Sequence, residues 1–266
     1  MSDKRRSRRK QLDASHQRNW LIGRHAVTEV LKANVWPLRR LCSTSEFRAE
    51  MQEVLPSFAE HGLGEPIIEQ VTAERLTQLC GSRHHQGVAV QMGPFPYLDL
   101  VSLARRLDER NESQSLSPLI VILDRIQDAH NLGAILRTCE AMAADAVIIG
   151  KAQQVGVTPQ VARASAGAVS HIPVVRVDTL QNAVDLLRNA GMQILAASEK
   201  SPVSVWSVDT SLPTGLIIGS EAQGINQSLL KLCDRQISIP LCGRVGSLNA
   251  AVAAGMLLYE LRRKKL

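Results

Sequence analysis

Aromatic residues make up only 3% of this 266-residue chain. Proteins that hold single strands of nucleic acid mainly by stacking successive bases need aromatic platforms. A chain this poor in them is not expected to work chiefly in that way. There is no run of eighteen apolar residues, so no membrane-spanning helix is expected. The basic N-terminus is not followed by an apolar stretch, which argues against a secretory signal. No two of the five cysteines, Cys42, Cys80, Cys139, Cys233 and Cys242, stand at C-x-x-C spacing. Their odd number and apolar surroundings point to reduced, buried thiols of a cytoplasmic protein, not to a disulfide frame or a zinc site. No Gly-x-Gly-x-x-Gly follows a strand, so a dinucleotide site and a nicotinamide-dependent dehydrogenase are not supported. A phosphate-binding P-loop and a Gly-x-Ser-x-Gly nucleophile elbow are missing as well.

What is present is a hydrophobic fraction of 45% over a length sufficient for two domains with their own cores. The net charge is +6 and the pI about 9.3, which favours an anionic partner. Most of that charge lies in residues 1–19, where seven cations face only Asp3 and Asp13, a balance of +5. This stretch reads as a disordered arm that touches phosphates. A second basic end, Arg262-Arg263-Lys264-Lys265, supports that reading over a merely solubilising tail. Against an organellar transit peptide stand Asp3 and Asp13.

Residues 20–93 read as a small α/β domain. Trp20-Leu-Ile begins as a strand and turns at Gly23 into a helix with Val27, Val30 and Leu31 inward. Strands are expected at Leu38–Ser43, from Pro66 and from Gly87, and helices at Ala49–His61 and after Thr72. The alternation implies a three-layer module. Arg83-His84-His85-Gln86 is expected to be an RNA contact or a plain polar turn before a metal site, since no further ligand lies nearby. The polar, proline-flanked residues 94–117 mark a linker with one short helix.

The second domain, 118–266, opens with Leu119-Ile-Val-Ile-Leu123, a continuous apolar run that fits a strand buried on both faces. Leu132, Ile135, Leu136 and Cys139 then form one helical face, from which Arg137 points away. Asn131 and Gly133 stand at the strand-to-helix turn, where ligands gather in open α/β sheets. Thr158–Ala168 reads as a small-residue helix apt for close packing or a dimer face. The rhythm of strands and helices predicts a mostly parallel sheet.

The last third organises the rest. Leu216-Ile217-Ile218 and Ile237-Ser238-Ile239 read as buried strands that break into glycines. From Leu248 the apolar residues Leu248, Val252, Met256 and Tyr259 recur at helical spacing. Ser247 and Asn249 suit that helix's N-terminus. A strand, a glycine-rich turn and a polar helix start make a pocket for a small molecule.

Three separated segments carry a resemblance: Asn131-Leu-Gly-Ala-Ile-Leu-Arg137-Thr-Cys, Ile218-Gly219-Ser-Glu221-Ala-Gln-Gly224, and Ile239-Pro-Leu-Cys-Gly243-Arg-Val-Gly-Ser247-Leu248-Asn249. In order and content they resemble the three motifs of the SpoU (TrmH-type) RNA ribose 2′-O-methyltransferases of the SPOUT superfamily. Ile22-Gly23-Arg24-His25 and His85-Gln86-Gly87 likewise resemble that family's L30e-like RNA-binding domain. The resemblance implies a trefoil-knotted α/β domain, a homodimer with the site near its interface, and S-adenosylmethionine held by backbone groups at Gly219, Ile239 and Leu248. It places Arg137 at the target hydroxyl, with Asn131, Glu221, Ser247 and Asn249 around it. The two-domain form is most similar to enzymes that methylate a guanosine of large-subunit (23S) ribosomal RNA. A transfer RNA enzyme of the same family and a catalytically silent RNA-binding protein are the alternatives. Intact Asn131, Arg137, Glu221 and Asn249 speak against the silent form. Here the third motif reads Gly246-Ser247-Leu-Asn-Ala250-Ala251, where the family more often has Ser-Ser-Leu-Asn-Val-Ser.

A sulfonium methyl is already activated, so the chemistry needs no metal. It needs a ribose hydroxyl in line with the S–CH₃ bond and relief of its proton. Arginine is a poor base. Arg137 is therefore expected to stabilise the developing alkoxide and anchor a phosphate, and Glu221 to orient it by a charge-assisted bond. The plainer reading of Glu221 is a charge at a helix N-terminus, and that of Ser247 and Asn249 is N-capping.

Overall fold

The structure, a computed structural model, describes residues 19–50, 67–110 and 116–263. The basic arm lies outside the described residues except for Asn19. The first elements are β1 (Trp20–Ile22), α1 (Arg24–Ala33), β2 (Leu38–Ser43), α2 (Ser45–Glu50), β3 (Ile67–Gln70), α3 (Ala73–Cys80) and β4 (Val88–Met92). Next come α4 (Leu100–Asp108), β5 (Leu119–Asp124), α5 (Ala129–Ala141), β6 (Ala146–Gly150), α6 (Pro159–Ala164), β7 (Val174–Val177) and α7 (Leu180–Asn189). Then follow β8 (Gln193–Ala197), β9 (Thr214–Gly219), α8 (Gln227–Leu230), β10 (Arg235–Ile237) and α9 (Ala250–Arg262). No described helix is long and apolar enough to cross a membrane. Residue contacts divide the chain into two units: residues up to Pro96 with Val157–His171, and Tyr97–Gly156 with Ile172–Leu266.

In the first unit the sheet runs β1-β4-β2-β3. Its β2–β3 pair is parallel and the other two pairs are antiparallel. Helix α1 buries Ala26, Val27, Val30 and Leu31 and ends at Asn34, in the left-handed region at φ 47°. The helix expected over Ala49–His61 begins earlier, at Ser45, and is described only to Glu50. Thr72 caps α3 by accepting from the Arg75 N–H. His85 is buried. Its Nδ1 accepts from the Gly87 N–H at 3.1 Å and its Nε2 pairs with the Thr77 hydroxyl at 3.2 Å. Of the two functions expected for the His84-His85 turn, the His85 ring thus serves the turn.

The second unit holds a six-stranded sheet in the order β10-β8-β9-β5-β6-β7. All five pairings are parallel. Every residue of β5 is buried, as its unbroken apolar run requires. Two segments differ from expectation. Residues 98–108 are not a free-standing join: Leu98 bridges to Val175 of β7 and Leu103 of α4 is buried in the main core with Ile120 and Ile148. The small-residue helix over Thr158–Ala168 is shorter than read, Pro159–Ala164, and packs on β1 and α1 of the first unit. Neither placement leaves a mark in local periodicity.

From β10, at the sheet's edge, the chain returns over residues 238–249 to place α9 beside α5. This path is compatible with the threading that the resemblance implies. Near its far end α9 is fixed by Arg262, which is buried. Its guanidinium donates to the carbonyls of Met142 (3.0 Å), Ala143 (2.8 Å) and Ser117 (2.7 Å). Two of these carbonyls lie at the C-terminal end of α5, where a cation also meets the negative end of the helix dipole. Burial lowers the Arg262 pKa from its ordinary value. Arg262→Ala would leave three carbonyls without this donor. It should lower unfolding free energy by about 3 kcal/mol, read as a shifted urea midpoint at unchanged slope. A loss under about 1 kcal/mol would mean that water replaces the guanidinium at little cost.

Candidate active site

The site forms where the C-terminal ends of β5 and β9 meet the starts of α5 and α9. Asp128 caps α5: its Oδ1 accepts from the N–H groups of His130 (2.8 Å) and Asn131 (2.9 Å). Asn249 caps α9 in the same way, accepting from Ala251 (3.0 Å) and Val252 (3.3 Å). The two helices run side by side with both N-termini at the site and the two C-terminal ends joined by Arg262. Between the N-termini sits the carboxylate of Glu221. Its Oε1 accepts from the Asn131 side chain at 3.1 Å, from the Asn249 side chain, and from the Ala250 N–H at 3.0 Å. The Asn249 amide also donates to Asn131 Oδ1 at 3.0 Å. Three residues far apart in sequence thus form one hydrogen-bonded triangle. Two of them, Asn131 and Glu221, border a cavity of about 190 Å³ whose walls also include Arg125, Gln127, Asp128, Ser220, Gln223 and Ala250.

Other expected site residues stand apart from the triangle. Arg137 lies six residues beyond Asn131 on α5, about 9 Å along the helix axis. Its side chain is exposed. Among the described residues Glu221 does not pair with it, so the expected orientation of Arg137 by Glu221 is not found within one chain; the carboxylate is committed to the two asparagines and the α9 N-terminus. Ser247 is exposed, and Leu248 is half-buried next to the cap. The strand expected at Ile237–Ile239 ends at Ile237, Ser238 adding an isolated bridge to Ser204. The helix begins at Ala250, not Leu248.

Sequence reasoning missed Asp124 and Arg125 at the end of β5, both of which bond to the Glu221 loop. Asp128 carried a usable signal, an acidic residue just before a helical pattern. The five cysteines are unpaired. Burial pushes Cys139 well above the usual thiol range, and burial together with nearby Asp234 raises Cys233 to about 11, so neither is a thiolate at neutral pH.

The sequence and fold find their counterpart among known proteins. A model of the SpoU rRNA methylase family matches residues 118–259, and one described as RNA 2′-O ribose methyltransferase substrate binding matches residues 20–98. The chain belongs to the SpoU methylase family. A protein of Bacillus subtilis named as a TrmH family tRNA/rRNA methyltransferase is 35% identical over 94% of this chain and 98% of its own. Among solved structures, an AdoMet-bound rRNA methyltransferase from Sinorhizobium meliloti superposes with a TM-score of 0.76 at 25% identity, covering 93% of this chain and 87% of that one. The SpoU methyltransferase AviRb from Streptomyces viridochromogenes, in complex with AdoMet, gives a TM-score of 0.73 at 26% identity over 92% and 90%. This SpoU chain is an RNA 2′-O-ribose methyltransferase that uses S-adenosylmethionine.

The residues present fit that cofactor. Residues 239–248 are mostly exposed. Among the described residues their backbone makes no hydrogen bond, and Gly243 and Gly246 have open space where a side chain would be. Free amides and carbonyls beside half-buried Ile239 and Leu248 can receive a purine and a ribose. Gly219 has a different constraint. A Cβ there would lie 2.3–2.5 Å from backbone atoms of Gly224 and Ile225, because the Ser220–Gly224 turn folds back on the strand end. Gly219→Ala should therefore displace the Glu221 loop. The expected outcome is at least about tenfold weaker S-adenosylmethionine binding, on the order of 1.4 kcal/mol, by titration calorimetry with circular dichroism unchanged. Wild-type affinity would separate this loop from the cofactor site.

Proposed function

We propose that this SpoU chain methylates the ribose 2′-hydroxyl of a guanosine in large-subunit ribosomal RNA, acting as a cytoplasmic homodimer. The observation that carries the reading is the Asn131–Glu221–Asn249 triangle, which joins all three motifs at one cavity. Ribosomal RNA is favoured by the likeness to an rRNA methyltransferase across both units. The Bacillus relative's name spans both RNA classes, so a transfer RNA target is the second reading.

In this reading S-adenosylmethionine, when bound, supplies a methyl group already activated as a sulfonium. Backbone groups at Gly219, Ile239 and Leu248 hold the cofactor. Asn131 at the cavity wall and Asn249 beside it, both bonded to Glu221, position the ribose, with Ser247 completing the set. Arg137 stabilises the alkoxide as the 2′-oxygen loses its proton, and anchors the neighbouring phosphate. A guanidinium keeps its proton at working pH, so its contribution is electrostatic and the proton leaves to solvent.

The homodimer has a surface to form on. Val252, Met256 and Tyr259 of α9 are 51%, 46% and 55% exposed, a continuous apolar stripe on the side away from buried Ala254, Leu257, Leu258 and Leu261. A side chain added at Gly255, next to Met256, would meet Thr138, the neighbour of Arg137, at 3.8 Å. A second copy packed on the stripe would bring its own groups beside Arg137.

Two tests follow. Transfer of a labelled methyl group to unmodified ribosomal and transfer RNA, followed by digestion, should put label on ribose in large-subunit RNA. Label in transfer RNA alone would favour the second reading. In the same assay Arg137→Ala should lose about a hundredfold or more in kcat while binding S-adenosylmethionine as the parent does; loss of cofactor binding in a folded variant refutes its assigned role. Separately, Met256→Asp puts a charge into the stripe and should convert a dimer to monomer in sedimentation, with methyl transfer lost. A parent chain that sediments as a monomer removes the dimer from the reading.

A further inference from the structure

Arg125 occupies a backbone region that a side-chain-bearing residue rarely adopts, with φ 63°. Such an outlier persists only where its surroundings hold it, and it marks a place to look for function. Here the surroundings are specific. The guanidinium is largely buried, its side chain 18% exposed, and that of Asp124 is only 6% exposed. Its Nε and Nη2 each donate to Asp124, both at 3.2 Å. Nη1 donates to Gln223 Oε1 at 2.5 Å and Nη2 to the Gly224 carbonyl at 3.2 Å. Asp124 Oδ2, which accepts from Nη2, also accepts from the Asn226 N–H at 2.6 Å.

All the remote partners lie in one loop. Residues 220–226 leave β9 and carry Glu221 at their start. Asp124 itself pairs with Gly219 in the β5–β9 ladder, so the clamp grips the loop directly beyond its point of departure. Within the loop, the Gly224 N–H donates to the Ser220 carbonyl at 2.8 Å and the Gln223 N–H to Ser220 Oγ at 3.2 Å. The turn is closed on itself, and the clamp fixes the closed turn to β5. An incidental ion pair on a surface would neither need a left-handed backbone nor aim a planar fork at a side-chain oxygen and a carbonyl of a distant loop.

We infer that Arg125, braced by Asp124, is a positioning residue for methyl transfer: it fastens the Ser220–Asn226 loop to the end of β5 and so holds Glu221 between the N-termini of α5 and α9. Arg125 also lines the cavity, but its bonds go to the loop, and it acts through Glu221. The inference rests on the proposed role of Glu221, and its test separates the two.

Full-length Arg125→Ala, Arg125→Gly, Arg125→Lys, Glu221→Gln and the Arg125→Ala/Glu221→Gln double variant are compared for methyl transfer to unmodified ribosomal RNA, cofactor affinity and thermal midpoint. Arg125→Ala should lower kcat by about a hundredfold, the scale of a small misplacement at a reacting centre, with KM for S-adenosylmethionine unchanged within about threefold. Glycine accepts the left-handed backbone, so Arg125→Gly should melt no lower than Arg125→Ala yet be equally slow. That contrast separates the missing side chain from any loss of fold. Lysine reaches one acceptor but not the set, and should restore part of kcat. Because Arg125 works through Glu221, the double variant should be no slower than Glu221→Gln alone. Parent-like kcat in Arg125→Gly, with Glu221→Gln defective, overturns the clamp and leaves the Glu221 role standing. Losses that multiply in the double variant overturn the route through Glu221. Parent-like kcat in Glu221→Gln overturns the underlying reading instead.

Discussion

A single carboxylate oxygen joins the parts of the catalytic unit. Glu221 Oε1 takes donors from Asn131 on α5, from the Asn249 cap, and from the first amide of α9. Each helix start presents unsatisfied N–H groups and the positive end of its dipole. Two such ends side by side repel unless an anion lies between them, and Glu221 is that anion. A charge in this position is worth about 0.3–1 kcal/mol per helix end at an exposed site. Its larger effect is geometric. With Arg262 fastening the opposite ends, α5 and α9 are fixed at both ends, and the cavity between β5 and β9 inherits its shape from them.

The arrangement gives plain structural reasons for residues that the motifs mark as functional. Asn249 is an N-cap, and Glu221 is a charge at a helix N-terminus, as their simplest readings held. Glu221 also borders the cavity, with Asn249 bonded to it. The two descriptions agree because the cavity is made of helix starts. The same interaction that satisfies the backbone fixes the amide groups available to a ligand. In the proposed reading, capping and binding are one set of hydrogen bonds seen from the protein side and from the pocket side.

Much of the fold was legible because its signals are local. Leu119–Leu123 fits a strand covered on both faces, and every residue of β5 is buried. Gly215–Ile218 breaking at Gly219 marked a strand end that the Gly224 backbone proves too close for any side chain. The three motifs named the triangle, although nothing local in them says that Asn131, Glu221 and Asn249 touch. What was not legible depends on long-range partners. Residues 157–171 pack with the first unit despite lying inside the second unit's sequence. Leu248, Val252, Met256 and Tyr259 recur at helical spacing, yet the last three are exposed and α9 is buried through Ala254, Leu257, Leu258 and Leu261. A helix apolar on two sides offers two candidate core faces, and periodicity cannot choose between a core and a second copy. Arg125 gave no signal, since its meaning lies in a loop joined to it only by folding.

The commitment of Glu221 also bears on how the reaction is accelerated. The donor methyl begins on a cation, and that positive charge disappears as transfer proceeds. A bare carboxylate beside it would hold the reactant state more strongly than the transition state and so slow the step. Glu221 is not bare: three donors, one of them the first amide of α9, share its Oε1 charge. The arrangement keeps an anion for structure while spending little of its field on the reactant. Positive charge is wanted elsewhere, at the ribose oxygen, which moves toward alkoxide as it attacks. In the proposed mechanism Arg137 carries that charge; it stands clear of Glu221 and is exposed in the single chain. Separation of the two matters, because an arginine paired to the carboxylate would offer the alkoxide a neutralised fork. The chain thus commits the Glu221 anion to the helix starts and leaves Arg137, the cation of the proposed mechanism, unpaired among the described residues, which is the division of charge that moving a methyl group from a sulfonium to an oxygen asks for.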